Sequence, residues 1–183
     1  MNLQKILTEK KTAIINRWSQ ILLETYPVDT QRFFKKQKDQ FANPVGYIIK
    51  KEIENLFEGL LVEFNPEGLS LILDKIIRVR AIQNFSASQA VAFIFPLKKI
   101  IRMELGKKIV EPRISDDLLI LESKIDDLCL LAFDIYMKCC KKLYELRADQ
   151  LKNQVSGLLV RTGLVSEIPE WEAPKKEVVT NHL

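Results

Sequence analysis

From Ser115 to Gly157 the chain runs without an intervening proline or glycine, and this stretch limits the fold more than any other feature of the sequence. Within it Leu118, Leu121, Ile125, Leu128, Ala132, Ile135 and Cys139 recur at intervals of three and four, the spacing of one helix face. Leu143, Leu146, Leu151, Val155 and Leu158 continue the pattern with a shift in register. Asp116 and Asp117 follow Ser115, where the positive end of a helix favours acidic side chains. One helix this long outreaches the core of a 183-residue chain, so a dimer seam is expected along it, with Leu121, Ile125, Leu128 and Ile135 as its residues. A single long core helix with a frayed end is the alternative.

The remainder also reads as helices. Leu3, Leu7, Ile14, Trp18, Ile21 and Leu22 form one stripe and predict a first helix from Leu3 to Glu24, ended by Tyr26-Pro27. Asp29 or Thr30 caps a short second helix to about Lys38. Asn43-Pro44 and Asn65-Pro66 are both a capping residue followed by proline. They open a third helix carrying Ile48 to Phe64 and a fourth that runs to Ile82. Ser86 and Gln89 form a capping box for a fifth helix to Leu105, expected to kink at Pro96 and end at Gly106. No segment has strand periodicity, so the expected class is all-α, about six helices with a long last one. The expected domain covers residues 1–160, and the proline-punctuated residues 161–183 read as a flexible tail in which Trp171 either docks on this domain or anchors a partner.

The chemistry that composition excludes is extensive. A net charge of +4 is too mild to imply a nucleic-acid partner without a basic patch and a reading motif. The longest apolar run, Ala90 to Leu97, is far short of the roughly 20 residues of a membrane span. The start is not a signal peptide, and three free-standing cysteines suit a reducing cytoplasm. His182 is the sole histidine, so no histidine-based nucleophile pair, zinc site or di-metal motif can form in the domain. The six glycines are scattered and make no phosphate loop. Glu52/Glu54 and Asp126/Asp127 read as solvated faces rather than acid–base pairs. Lys98, Lys99 and Arg102 read as a solvated rim or as a contact for an anionic partner. Cys129, Cys139 and Cys140 read as packed filler, or as a redox switch if Lys138, Lys141 and Lys142 lower a thiol pKa.

The segments Tyr26-Pro27-Val28-Asp29-Thr30, Arg32-Phe33-Phe34-Lys35 and Phe41-Ala42-Asn43-Pro44-Val45-Gly46 occur in that order. The stretch from Ile77 through Arg80-Ala81-Ile82-Gln83 to Phe95 follows. Together they resemble the RsbRD N-terminal domain family, the sensor domain at the front of RsbR-type stressosome proteins, over about residues 3–150. The resemblance implies a globin-like helical fold that dimerises through its late helices and has no enzyme activity. A histidine-ligated haem is excluded, since the segment from Glu67 to Ile82 holds no His, Cys or Tyr, and no cofactor is expected. RsbR-type proteins carry a phosphorylated STAS domain after this region. The chain stops soon after its long helix, so a stand-alone form is expected, one that either signals by docking or serves as an accessory subunit elsewhere.

The expected function is therefore a non-enzymatic bacterial signalling, sensor or adaptor domain, cytoplasmic and homodimeric, acting through protein contacts. Arg80, Gln83 and Ser88 are the polar candidates for ligand binding or signal transmission at the fourth-to-fifth helix junction. The alternative is a carrier or sensor of a small apolar ligand in a helical-core cavity lined by Phe57, Ile76, Phe93 and Phe95.

Overall fold

The computed structural model describes residues 2–36, 41–62, 65–83 and 85–163. The described residues form eight α-helices: α1 Leu3–Glu9, α2 Lys11–Glu24, α3 Val28–Lys36, α4 Pro44–Leu61, α5 Pro66–Ile82, α6 Ala87–Val91, α7 Pro96–Leu105 and α8 Pro112–Arg161. A 3-10 turn, Gly106–Val110, joins α7 to α8. The fold is all-α with a long last helix. The expected extensions of α3 to Lys38 and α4 to Phe64 lie outside the described residues, as does the tail with Trp171 and His182.

Backbone contacts divide the chain into one unit of Met1–Lys142 and a second of Leu143–Leu183. The first unit holds the core. There α2 packs on α7 and α4, and α4 packs on α5. Trp18, Leu22, Ile53, Leu56, Phe57, Leu73, Ile76, Phe93 and Leu97 are sealed from solvent. Each such side chain contributes on the order of 1.5–3 kcal/mol relative to exposure. In the second unit the α8 segment beyond Lys142 exposes Tyr144, Leu146, Leu151, Val155 and Leu158.

Two long helices expected from the sequence are broken. The first divides at Lys10 (φ −98°, ψ 5°), because no inward apolar anchor lies between Leu7 and Ile14. Its lysines also reach in different directions: Lys10 pairs with Glu104 of α7 at 3.0 Å, and Lys11 pairs with Glu54 of α4 at 2.8 Å and with Glu58. The expected fifth helix is two helices rather than one kinked helix. Its Pro96 is not a mid-helix kink but occupies the first turn of α7, where its missing N–H costs nothing. The capping box forms as expected, with Gln89 N–H donating to Ser86 Oγ and Ser86 N–H to Gln89 Oε1. Asn43 and Asn65 cap α4 and α5 by accepting from Gly46 N–H at 2.9 Å and Gly68 N–H at 3.2 Å. The last helix begins at Pro112, three residues ahead of Ser115.

Two readings of charge resolve differently. Glu52 is not solvated: it is buried, and its carboxylate accepts from Lys75 Nζ at 2.8 Å and Asn55 Nδ2 at 3.0 Å, tying α4 to α5. The basic group on α7 faces the acidic residues of α8. Lys98 donates to Asp126 at 2.6 Å, and Arg102 donates twice to Glu122, at 2.6 and 2.7 Å.

Candidate functional site

The helical stripe of α5 reads Leu69, Leu73, Ile76, Ile77 and then Arg80, so the register that buries the apolar residues carries an arginine into the core. Arg80 is completely buried. Its guanidinium carbon lies 4.1 Å from the Phe85 ring centre, 5.3 Å from Tyr26 and 5.6 Å from Phe93. Desolvated contacts of this kind are worth about 2 kcal/mol or more and offset part of the cost of burying the charge.

Broken helix ends supply the polar partners. The last carbonyls of a helix have no acceptor role within it, and α6 is only one turn and a half long. Its Gln89 carbonyl accepts from Arg80 Nη2 at 2.8 Å. Thr25, the C-cap of α2, accepts from the same nitrogen at 3.0 Å while its hydroxyl donates to Leu22 O at 2.6 Å. In the turn that follows α6, the Phe93 carbonyl accepts from Trp18 Nε1 at 2.7 Å, and the two rings stack with centres 6.3 Å apart. Tyr26 meets Phe85 and Phe34 edge-on, at 5.2 and 5.4 Å. Tyr136 of α8 donates its hydroxyl hydrogen to the Phe85 carbonyl. One aromatic cage therefore joins α2, α3, α5, the α6–α7 turn and α8.

The cage is incompletely satisfied. Arg80 Nε and Nη1 and the Tyr26 hydroxyl are buried without a partner in good hydrogen-bond geometry among the described residues, although the Tyr26 hydroxyl and the Arg80 guanidinium lie close enough to interact with each other. No carboxylate is within ion-pair distance of Arg80 among those residues. Burial pulls the Arg80 pKa down, although a guanidinium stays protonated at neutral pH. Burial likewise pushes the Tyr26 phenol up, and the adjacent Arg80 partly opposes this. Over the cage lies an open groove of about 550 Å³ lined by Thr25, Tyr26, Pro27, Thr30, Gln83, Phe85 and Gln89.

Of the residues singled out from sequence, Arg80 and Phe93 come together in this cage and Gln83 lines its groove. Ser88 is exposed, 3.1 Å from Ser86 Oγ. Phe57 and Ile76 are buried in the core, whereas Phe95 is 53% exposed, so the expected four-residue apolar cavity does not form as drawn. The expected seam residues Leu121, Ile125, Leu128 and Ile135 are all buried within the first unit and are core residues there, not a free seam. The same part of α8 exposes Leu119, Ile120, Leu130, Phe133 and Met137 instead. For the cysteines, burial and then Asp126 push the Cys129 thiol up to about 11, and burial and then Asp74 raise Cys139. A redox switch needs the opposite shift.

The sequence did not single out Thr25, Tyr26 and Phe85 as partners of Arg80, nor Tyr136 as the donor to the Phe85 carbonyl. The available signal was the α5 stripe itself, which points Arg80 inward and so requires acceptors and rings around it. Among the described residues no group of three His, Cys, Asp or Glu could hold a metal ion, and no helix is long and apolar enough to cross a membrane.

Residues 12–151 match the family model described as the RsbT co-antagonist protein rsbRD N-terminal domain. No curated protein and no solved structure matches the chain.

Proposed function

The chain belongs to the RsbRD N-terminal domain family, and from that membership we propose that it is a non-enzymatic, stressosome-type sensor or adaptor domain acting through protein–protein contacts. The observation that carries the reading is the family match over residues 12–151, which takes in most of α2 through α8. The family is a sensor domain rather than a catalytic one. The reading includes a globin-like arrangement of the helices, a cytoplasmic location, a domain over residues 1–160 with a tail beyond it, and a homodimer.

The geometry suggests how such a domain would work. A signal that binds one packing of the cage more tightly than another shifts the population between them. Tyr136, through the Phe85 carbonyl, links the cage to α8. The contact surface is the outward apolar face of the first-unit part of α8, where Leu130 and Met137 are exposed seven residues apart. Seven-residue apolar spacing is the register of a helix-to-helix seam.

Light scattering on the eluting protein tests this, comparing the wild type with a Leu130→Glu, Met137→Glu double variant. The expected result is a dimer that becomes a monomer with unchanged far-ultraviolet circular dichroism. In-cell crosslinking and capture should then recover a protein partner with the wild type and lose it with the variant. A monomeric wild type that captures no partner contradicts the reading.

A further inference from the structure

We propose that the groove over the Arg80 cage is a binding site for a small monocarboxylate with an apolar body. The inference rests on the sensor reading and names the class of signal.

The unsatisfied groups argue for a missing acceptor. Among the described residues four buried side-chain atoms lack a partner in good hydrogen-bond geometry, and three of them belong to one contacting pair: Arg80 Nε, Arg80 Nη1 and Tyr26 Oη. Buried polar atoms are nearly always paired, so a cluster of orphans points to a water, ion or ligand. A water molecule would satisfy hydrogen bonds but leave the buried charge uncompensated. An anion does both. Among the described residues Arg80 is the only charged side chain in the cage, and those that line the groove include no Lys, Arg, Asp or Glu. One cation without a second basic group matches one negative charge, which favours a carboxylate over a phosphate dianion.

The walls select the remainder of the molecule. Tyr26, Pro27 and Phe85 offer apolar surface, while Thr25, Thr30, Gln83 and Gln89 offer hydrogen-bonding groups. About 550 Å³ is within the range of small-molecule sites. The groove walls are Arg80's own holders: Tyr26 and Phe85 stack on it, and Thr25 and the Gln89 carbonyl accept from it. Arg80 itself is sealed beneath the groove and is not among its lining residues, so the proposed ligand reaches the guanidinium only when Phe85, half-buried and outside any helix just ahead of the Ser86 cap, turns aside.

The test follows the Arg80 Nε–H resonance by nuclear magnetic resonance of the full chain, assigned with Arg80→Lys. Sodium benzoate and sodium butyrate are the probes. Sodium chloride at matched ionic strength, sodium phosphate and benzyl alcohol are the controls. The expected result is a saturable shift with benzoate and butyrate at millimolar concentrations, absent with the controls. Thr30→Trp, which fills the groove from α3 and leaves Arg80 in place, should weaken that binding at least tenfold, and it keeps the test decisive should Arg80→Lys not fold. No shift with either carboxylate overturns the proposal and leaves Arg80 a cage satisfied by rings and water. Equal shifts with chloride or phosphate overturn it in favour of an unselective anion site. Partner capture is read separately. Its persistence without carboxylate binding removes this inference alone, and its loss alongside intact carboxylate binding removes the sensor reading alone.

Discussion

Arg80 carries a full charge into the core with two neutral oxygens and three rings as company, and the consequences are measurable one side chain at a time. Trp18→Phe keeps the ring stack on Phe93 but leaves the buried Phe93 carbonyl without its donor. That variant should lose about 1–3 kcal/mol in urea unfolding. Tyr26→Phe removes a hydroxyl whose one neighbouring interaction, with Arg80, lacks good hydrogen-bond geometry, and should change stability by less than about 1 kcal/mol in the same assay. Cys129 gives a pH signature. Its folded-state pKa of about 11 lies above the roughly 8.5 of an unfolded thiol. The unfolded chain therefore ionises first, so the contribution is complete below about pH 8.5 and is lost as pH rises towards 11. The loss is roughly 3 kcal/mol. Urea midpoints of Cys129→Ala against wild type across this interval should converge as the pH rises.

At the scale of elements, proline and glycine decide where helices begin and stop. Pro96 within one helix would cost about 3 kcal/mol or more, whereas at the first turn of α7 it costs almost nothing. Pro96→Ala should therefore shift the urea midpoint little, and a large stabilisation would restore the single-helix view. Gly106 closes α7 at φ 55°, ψ −130°, where L side chains rarely go, and a Cβ there would meet nothing within 4 Å. Gly106→Ala should cost about 1–3 kcal/mol from the backbone alone. The capped starts of α4, α5 and α6 were legible because Asn-Pro and Ser-x-x-Gln state their hydrogen bonds locally. The breaks at Lys10 and before Pro96 were not, because they depend on which neighbour Lys10, Lys11 and the α6 carbonyls meet. Arg80 was legible as a candidate, but its cage was not. Thr25, Phe85, Gln89 and Tyr136 reach it from four places in the chain, and no local spacing records that.

In the molecule as a whole, Tyr136 ties a buried cage to the longest helix through the Phe85 carbonyl. The apolar pattern of α8 showed that two faces exist but not which one the core takes. The core takes Leu121, Ile125, Leu128 and Ile135. Leu128→Lys should therefore unfold the first unit, seen as lost circular dichroism, rather than yield a folded monomer. A change at Tyr136 therefore reaches both the cage and α8. Hydrogen exchange of the wild type against Tyr136→Phe tests this coupling most directly, since that change removes the donor to the Phe85 carbonyl and leaves the ring. The account predicts faster exchange both around residues 85–95 and in α8 around Tyr136, with the remaining helices unchanged. Exchange altered on α8 alone, with the cage segment unaffected, would contradict it.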